Sequence, residues 1–141
     1  MDRRAIENTV NRFTTCFDTK NWDVMSSTLG AEMTVDYADL RGEPAYVTKR
    51  RDYIDLRMAA QGHTKTHHLM SNLVIGIEGE VATVDASCMI FRMNEGEFFN
   101  SHAIYQFQLN KVSGDWLIVS IKQSILWNDG NPNLHKGVPK F

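Results

Sequence analysis

Cysteine is scarce in this chain, and a basic excess, a long apolar run and a recognisable cofactor motif are missing. The 141 residues hold two cysteines, Cys16 and Cys88. Neither belongs to a CxxC pair and each lies in an apolar stretch, so two buried free thiols in a reducing compartment are expected; a disulfide forms only if the fold joins them. Fifteen Lys+Arg stand against seventeen Asp+Glu, a formal charge of -2. That balance gives no footing for a nucleic-acid surface, and it does not favour an acidic substrate. No stretch is long enough to span a membrane. The first residues are charged with no apolar run behind them, so no secretion signal is expected and a cytoplasmic location is the default. There is no Gly-rich phosphate loop or dinucleotide fingerprint, hence no expected cofactor. The five histidines make no HExxH motif or tight ligand triad, and His67 and His68 diverge in a strand, so no metal is expected. Internal repeats and low-complexity segments are absent.

What is present reads as one domain over residues 1–141. A chain this long buries about two-thirds of its unfolded surface. Ile6, Val10, Phe13 and Phe17 recur at helical spacing and predict a helix from Asp2, as its cap, to Phe17. A short second helix is expected from Trp22 to Leu29, ended by Gly30, then a strand from Met33 to Tyr37. A third helix is expected from Val47 to Ala60, with Val47, Ile54, Met58 and Tyr53 turned inward. Four strands follow, His68–Ile77, Val81–Met93, Phe98–Leu109 and Trp116–Trp127, separated by short Gly-containing turns that predict sequential antiparallel pairing. One apolar row runs through Ala82, Val84, Ala86, Cys88 and Ile90. Another contains Phe99, Ala103, Tyr105, Phe107 and Leu109, and a third contains Leu117, Val119, Ile121, Ile125 and Trp127. The opposite faces also hold apolar residues, among them Met89, Phe91, Phe98 and Ile104. One face against helices and the other lining an apolar cavity is the expectation. Residues 128–141 read as an irregular tail. The fold class is α+β: a cone-shaped, curled antiparallel sheet packed on three N-terminal helices, with an internal pocket.

Against that frame, Phe-Asp-Thr-Lys-Asn-Trp-Asp at 17–23, Val-Asp-Tyr at 35–37 and Thr-His-His-Leu-Met-Ser-Asn at 66–72 resemble scytalone dehydratase and the related SnoaL-like proteins of the nuclear transport factor 2-like superfamily. The resemblance implies an α+β cone with a deep pocket. It places the family's pocket aspartate on Asp18, a pocket tyrosine on Tyr37 and the pocket histidine on His68. A second family tyrosine falls on Phe17, so one hydroxyl is lost. The family's second histidine, on the next strand, is met here by Met89, Ile90 and Phe91. A pocket serine and asparagine become Ala103 and Tyr105. A dehydrochlorinase of the superfamily keeps only the aspartate and histidine, so the reduced set remains a workable base. The departures argue against scytalone itself as substrate.

His68 is the expected general base, because neutral imidazole takes a carbon-bound proton near neutral pH. Asp18 is expected to hold the other ring nitrogen and to stabilise the imidazolium, and Tyr37 to donate to a developing oxyanion. Asn72, four positions beyond His68, is expected on the same strand face. With Phe17, Trp22, Met89, Phe91, His102 and Tyr105 it is expected to bind substrate. The reading is a cofactor-independent lyase or isomerase acting on a small hydrophobic or aromatic oxygenated molecule. A polyketide cyclase and a non-catalytic ligand-binding or assembly domain are the alternatives. The resemblance also implies a homodimer or homotrimer.

Overall fold

The apolar stripe of the first helix packs against the sheet and the short helix that follows it. In the computed structural model, which describes residues 1–135, α1 spans Asp2–Thr19 and buries Ile6, Val10, Phe13 and Phe17. Asp2 is the first helical residue and not the cap. Its carboxylate instead accepts from the Trp116 indole at 3.0 Å and the Lys111 ammonium at 3.2 Å. The helix ends where Lys20 enters the left-handed region, with φ 56°.

The second helix, α2, is shorter than its pattern predicts. It covers Trp22–Ser26, capped by the Asn21 side chain, and β1 already begins at Leu29, running to Asp36. The Ser27 and Thr28 hydroxyls bond back to the Val24 and Met25 carbonyls at 2.6 and 2.7 Å, a local competition that shortens helices. The Thr28 carbonyl then accepts from Ile118 N–H at 2.9 Å, drawing the chain into the sheet.

The expected helix from Val47 is divided. A single turn, α3 (Ala38–Arg41), precedes β2 (Tyr46–Lys49), and α4 runs from Arg50 to Gln61. Val47 and Thr48 pair with Thr34 and Met33 of β1, as β-branched residues favour. Val47 and Met58 are exposed, against expectation, while Tyr53, Ile54, Arg57 and Gln61 form the buried stripe of α4.

The four long strands are β3 (Lys65–Glu78), β4 (Val81–Asn94), β5 (Glu97–Val112) and β6 (Asp115–Gly130). Each pairs antiparallel with the next, as their turns predict. Glu95-Gly96 and Ser113-Gly114 have positive φ at both residues, the backbone that suits a tight hairpin. The sheet order is β2-β1-β6-β5-β4-β3, with β1 parallel to β6 and β2 and β3 as open edges. The helices and the cavity share one face. Ala82, Val84, Ala86, Cys88 and Ile90 of β4 and Phe99, Ala103, Tyr105, Phe107 and Leu109 of β5 point into it. The other face holds an open groove of ≈ 470 Å³, lined by Phe91, Met93 and Phe98 among others, in place of an enclosed chamber, and Leu69, Met89 and Trp127 are exposed there.

Two register shifts overturn the inward row expected for β6. Pairing steps from Gln108–Ser120 to Leu109–Ile118, so Val119 is an extra residue and the parity flips. Trp116, Ile118, Ile121 and Gln123 are the buried residues of this strand. A second shift, beside His102, sends Trp127 to the outer face. The tail is also more regular than expected. β6 continues to Gly130 and a 3-10 turn covers Pro132–Leu134, while residues 136–141 lie outside the described residues. Gly130 is required, because its φ is +94° and a Cβ there falls 2.2 Å from the Phe98 carbonyl oxygen. Both cysteines are buried free thiols, and burial pushes Cys88 up to about 12.

Candidate active site

Asp18 occupies the last turn of α1, where the carbonyl end of a helix disfavours a negative charge. Three donors hold it there. The Thr66 hydroxyl reaches Oδ1 at 3.0 Å, the His68 backbone N–H reaches Oδ2 at 2.8 Å, and His68 Nδ1 lies 2.7 Å from Oδ1. Burial alone would raise the Asp18 pKa, but these hydrogen bonds outweigh it and hold the carboxyl below its ordinary value. His68 pairs with Ile90 across β3 and β4 and so points inward, its side chain 4 % exposed. Burial lowers its pKa, and the attraction of Asp18 only partly offsets that. His68 is therefore neutral near pH 7. With Nδ1–H donating to Asp18, the lone pair of Nε2 remains available. Phe17 stacks on the imidazole at 5.0 Å and fixes its plane.

This arrangement sets a pH dependence of stability. On acidification the unfolded chain protonates at His68 from about 6.5 downward, before the folded protein does, and at Asp18 from about 3.8 downward. Both groups bind fewer protons when folded, so their contribution is full above about 6.5 and falls as the pH drops. Thermal melts from pH 7.5 to 5 should fall more steeply for wild type than for His68→Gln; parallel slopes would show that His68 is not held neutral by the fold.

Phe17, Tyr37, Tyr105 and His68 line one cavity of ≈ 20 Å³ inside the cone. The Tyr37 and Tyr53 hydroxyls are 2.6 Å apart, and Gln123 Nε2 donates to the Tyr105 hydroxyl at 2.9 Å. Burial raises the pKa of both Tyr37 and Tyr105, so both remain protonated hydroxyls.

The remaining expected residues lie elsewhere. Asn72 sits at a β-bulge between Ser71 and Val74, with φ 55° and an exposed side chain; the extra residue breaks the alternation that aligned it with His68. Met89, Phe91 and His102 are on the outer face, because their strand positions alternate with the buried rows of β4 and β5. There His102 stacks on Trp127 at 4.1 Å and lies 3.3 Å from the Asp129 carboxylate. Trp22 packs edge-on against Phe17 at 6.0 Å but lines a separate surface groove with residues of α4.

The cavity is not the apolar chamber expected. Arg41, Arg57, Arg92 and Gln123 also line it. Arg57 sits on the buried stripe of α4, four residues from Tyr53, and Arg92 continues the inward row of β4 two residues beyond Ile90. Those periodicities were the signal available for both. Among the described residues no group of three or more His, Cys, Asp or Glu is placed to hold a metal, and no helix is long and apolar enough to cross a membrane.

A curled, open sheet over N-terminal helices is the architecture of the nuclear transport factor 2-like fold. The SnoaL-like domain model matches residues 1–122, and the chain belongs to that family. Three solved structures are similar. The Kfla4162 protein of Kribbella flavida has 21% identity and a TM-score of 0.89, over 94% of this chain and 95% of that one. A protein of Novosphingobium aromaticivorans provisionally named scytalone dehydratase has 17% identity and a TM-score of 0.79, over 91% and 86%. Hexachlorocyclohexane dehydrochlorinase LinA-type3 of Novosphingobium barchaimii has 12% identity and a TM-score of 0.78, over 92% and 89%. No curated protein sequence matches the chain.

Proposed function

We propose that this protein is a cofactor-independent lyase or isomerase in which Asp18 and His68 remove an activated carbon-bound proton from a small oxygenated molecule. The 2.7 Å contact between the buried imidazole and a carboxylate held by three donors is the observation that carries this reading. His68 Nε2 takes the proton, and the electron pair moves into a neighbouring carbonyl or a new C=C bond. The proton then returns either to a departing hydroxyl, releasing water, or to another carbon, completing a double-bond shift. Tyr37 and Tyr105 are hydroxyl donors beside that charge. Membership of a family whose fold is shared with a dehydrochlorinase supports proton chemistry of this kind.

Small-molecule sites usually enclose about 300–1,000 Å³, far more than the ≈ 20 Å³ of this cavity. Substrate entry therefore requires the cone to open. The tight cavity also fits a non-catalytic assembly domain that takes no ligand inside the cone. Deuterium incorporation from D₂O into activated ketones, with and without a carboxylate, followed by NMR, separates the two. Exchange by wild type that is lost in His68→Ala and Asp18→Asn supports the enzyme. Equal rates in all three proteins would leave the non-catalytic reading.

The apolar residues of the outer face support self-association, since monomers rarely leave so many large apolar side chains together in water. We expect wild type to elute as a dimer or trimer and Trp127→Glu with Leu69→Glu to elute as a smaller species. Elution of wild type at monomer size at micromolar concentration would remove this part of the proposal.

A further inference from the structure

Arg57 is the largest fully buried side chain of the described residues, 1% exposed, and its Nε, Nη1 and Nη2 all lack a hydrogen-bond partner among those residues. The rings of Tyr53 and Tyr37 lie 4.5 and 5.3 Å from its charge, and the hydroxyls of Tyr53 and Tyr46 attract it, but none of these neutral groups meets hydrogen-bond geometry with its N–H groups or supplies a negative charge. Arg92, 3% exposed, donates to the Ser101 hydroxyl at 2.9 Å yet leaves Nε unpartnered. Gln123 uses one end of its amide on Tyr105 and leaves the other unpartnered. The Tyr105 hydroxyl can donate or accept, so the free end of that amide can present either an oxygen or an N–H.

Among the described residues the charges around this cavity do not balance. Arg41, Arg57 and Arg92 face it, and among the described residues no carboxylate lies within 4.0 Å of any of them. Asp18, the carboxylate nearby, is committed to Thr66 and His68. Burial pulls Arg92 down only to about 10, so it is charged at neutral pH, and arginine in general does not deprotonate there. An unpaired buried guanidinium is among the most costly arrangements in a protein interior. A cavity that holds one beside a catalytic imidazole is built to be completed by an anion.

We propose that Arg57, supported by Arg92 and Gln123, binds the carboxylate of a small organic acid, and that the substrate of the His68 site is a carboxylate-bearing molecule. The assignment as substrate rests on the proton-transfer reading; the anion site does not. A planar carboxylate matches the guanidinium fork through two parallel hydrogen bonds. The closed cavity of ≈ 20 Å³ is too small for any organic anion, so the acid binds in the same opened state that substrate entry requires.

Calorimetric titration of benzoate against benzamide, and of crotonate against crotonamide, at pH 7.5 tests this. For wild type the acids should bind at least tenfold more tightly than the amides. Arg57→Met should abolish the preference, and His68→Gln should keep it. Gln123→Glu places a carboxylate in the same cavity; it should remove the preference and melt at a higher temperature than wild type. That variant also decides the matter if Arg57→Met does not fold, or if neither acids nor amides bind measurably. Equal binding of acids and amides by wild type would overturn the proposal, as would a lower melting temperature for Gln123→Glu. Acid binding without proton exchange would sink the catalytic reading alone, and equal exchange of neutral and acidic ketones would sink the substrate assignment alone.

Discussion

Replacing His68 with alanine should slow proton exchange on an activated ketone by about 10²–10⁴-fold, the usual contribution of a positioned general base. The imidazole is buried, neutral and stacked on Phe17, and Nδ1 is occupied by Asp18. Truncation to alanine removes the acceptor without disturbing the apolar packing of β3 on its other side. Asp18→Asn is a separate test of the carboxylate. Asparagine offers one acceptor oxygen where Asp18 uses two, so its NH2 must face either the His68 backbone N–H or Nδ1–H; the ring's orientation is disturbed and the imidazolium loses its counter-charge. We expect a fall of at least about 10²-fold in that variant, with substrate affinity little changed. The rate of the wild type should be level above about pH 6.5 and decline on the acid side, because the base must be unprotonated and burial lowers its pKa. Added imidazole should partly restore His68→Ala by filling the space that the truncation leaves. A rate within twofold of wild type in both variants would remove the pair from the mechanism.

Phe13→Ala should destabilise the fold by about 3–5 kcal/mol, the range for emptying a buried aromatic site. Phe13 is 1% exposed and joins three layers of the molecule. Its ring meets Phe17 of α1 at 5.4 Å, Tyr53 of α4 at 6.2 Å and Phe107 of β5 at 6.0 Å. No single neighbour can move into the space without leaving another contact, so collapse is limited. Domains have a total stability of about 5–15 kcal/mol, so a loss of this size would be visible at once in a urea titration. The midpoint should fall with little change in slope. A loss below about 1 kcal/mol would mean that α1 can repack against the sheet, contrary to the close packing of protein cores. Because Phe17 carries both this cluster and the stack on His68, residual activity at low temperature should also fall in this variant.

Local patterns in the chain sufficed wherever a structure repeats with its own period. The stripe of α1, the inward rows of β4 and β5 and the hairpin turns are all short-range signals, and each appears in the structure at the expected residues. Asp18 and His68 were legible because they stand in short motifs that resemble those of a known family. Asn72 and the inward row of β6 were misread for one reason. A bulge adds a single residue, and every side chain beyond it changes face. The helix expected from Val47 failed differently: pairing of Tyr46–Lys49 with β1 outweighed its helical pattern.

The sequence by itself determined which residues form helix α1 and the four long strands, because hydrophobic periodicity is a property of neighbours along the chain. It also determined that an acid and an imidazole were available. Only the tertiary structure decided which sheet face the helices cover, that Met89, Phe91 and His102 lie outside, and that three arginines converge on one small cavity. A near-neutral composition conceals such a cluster, since net charge sums over the whole chain while an electrostatic site depends on which few charges are brought together and removed from water.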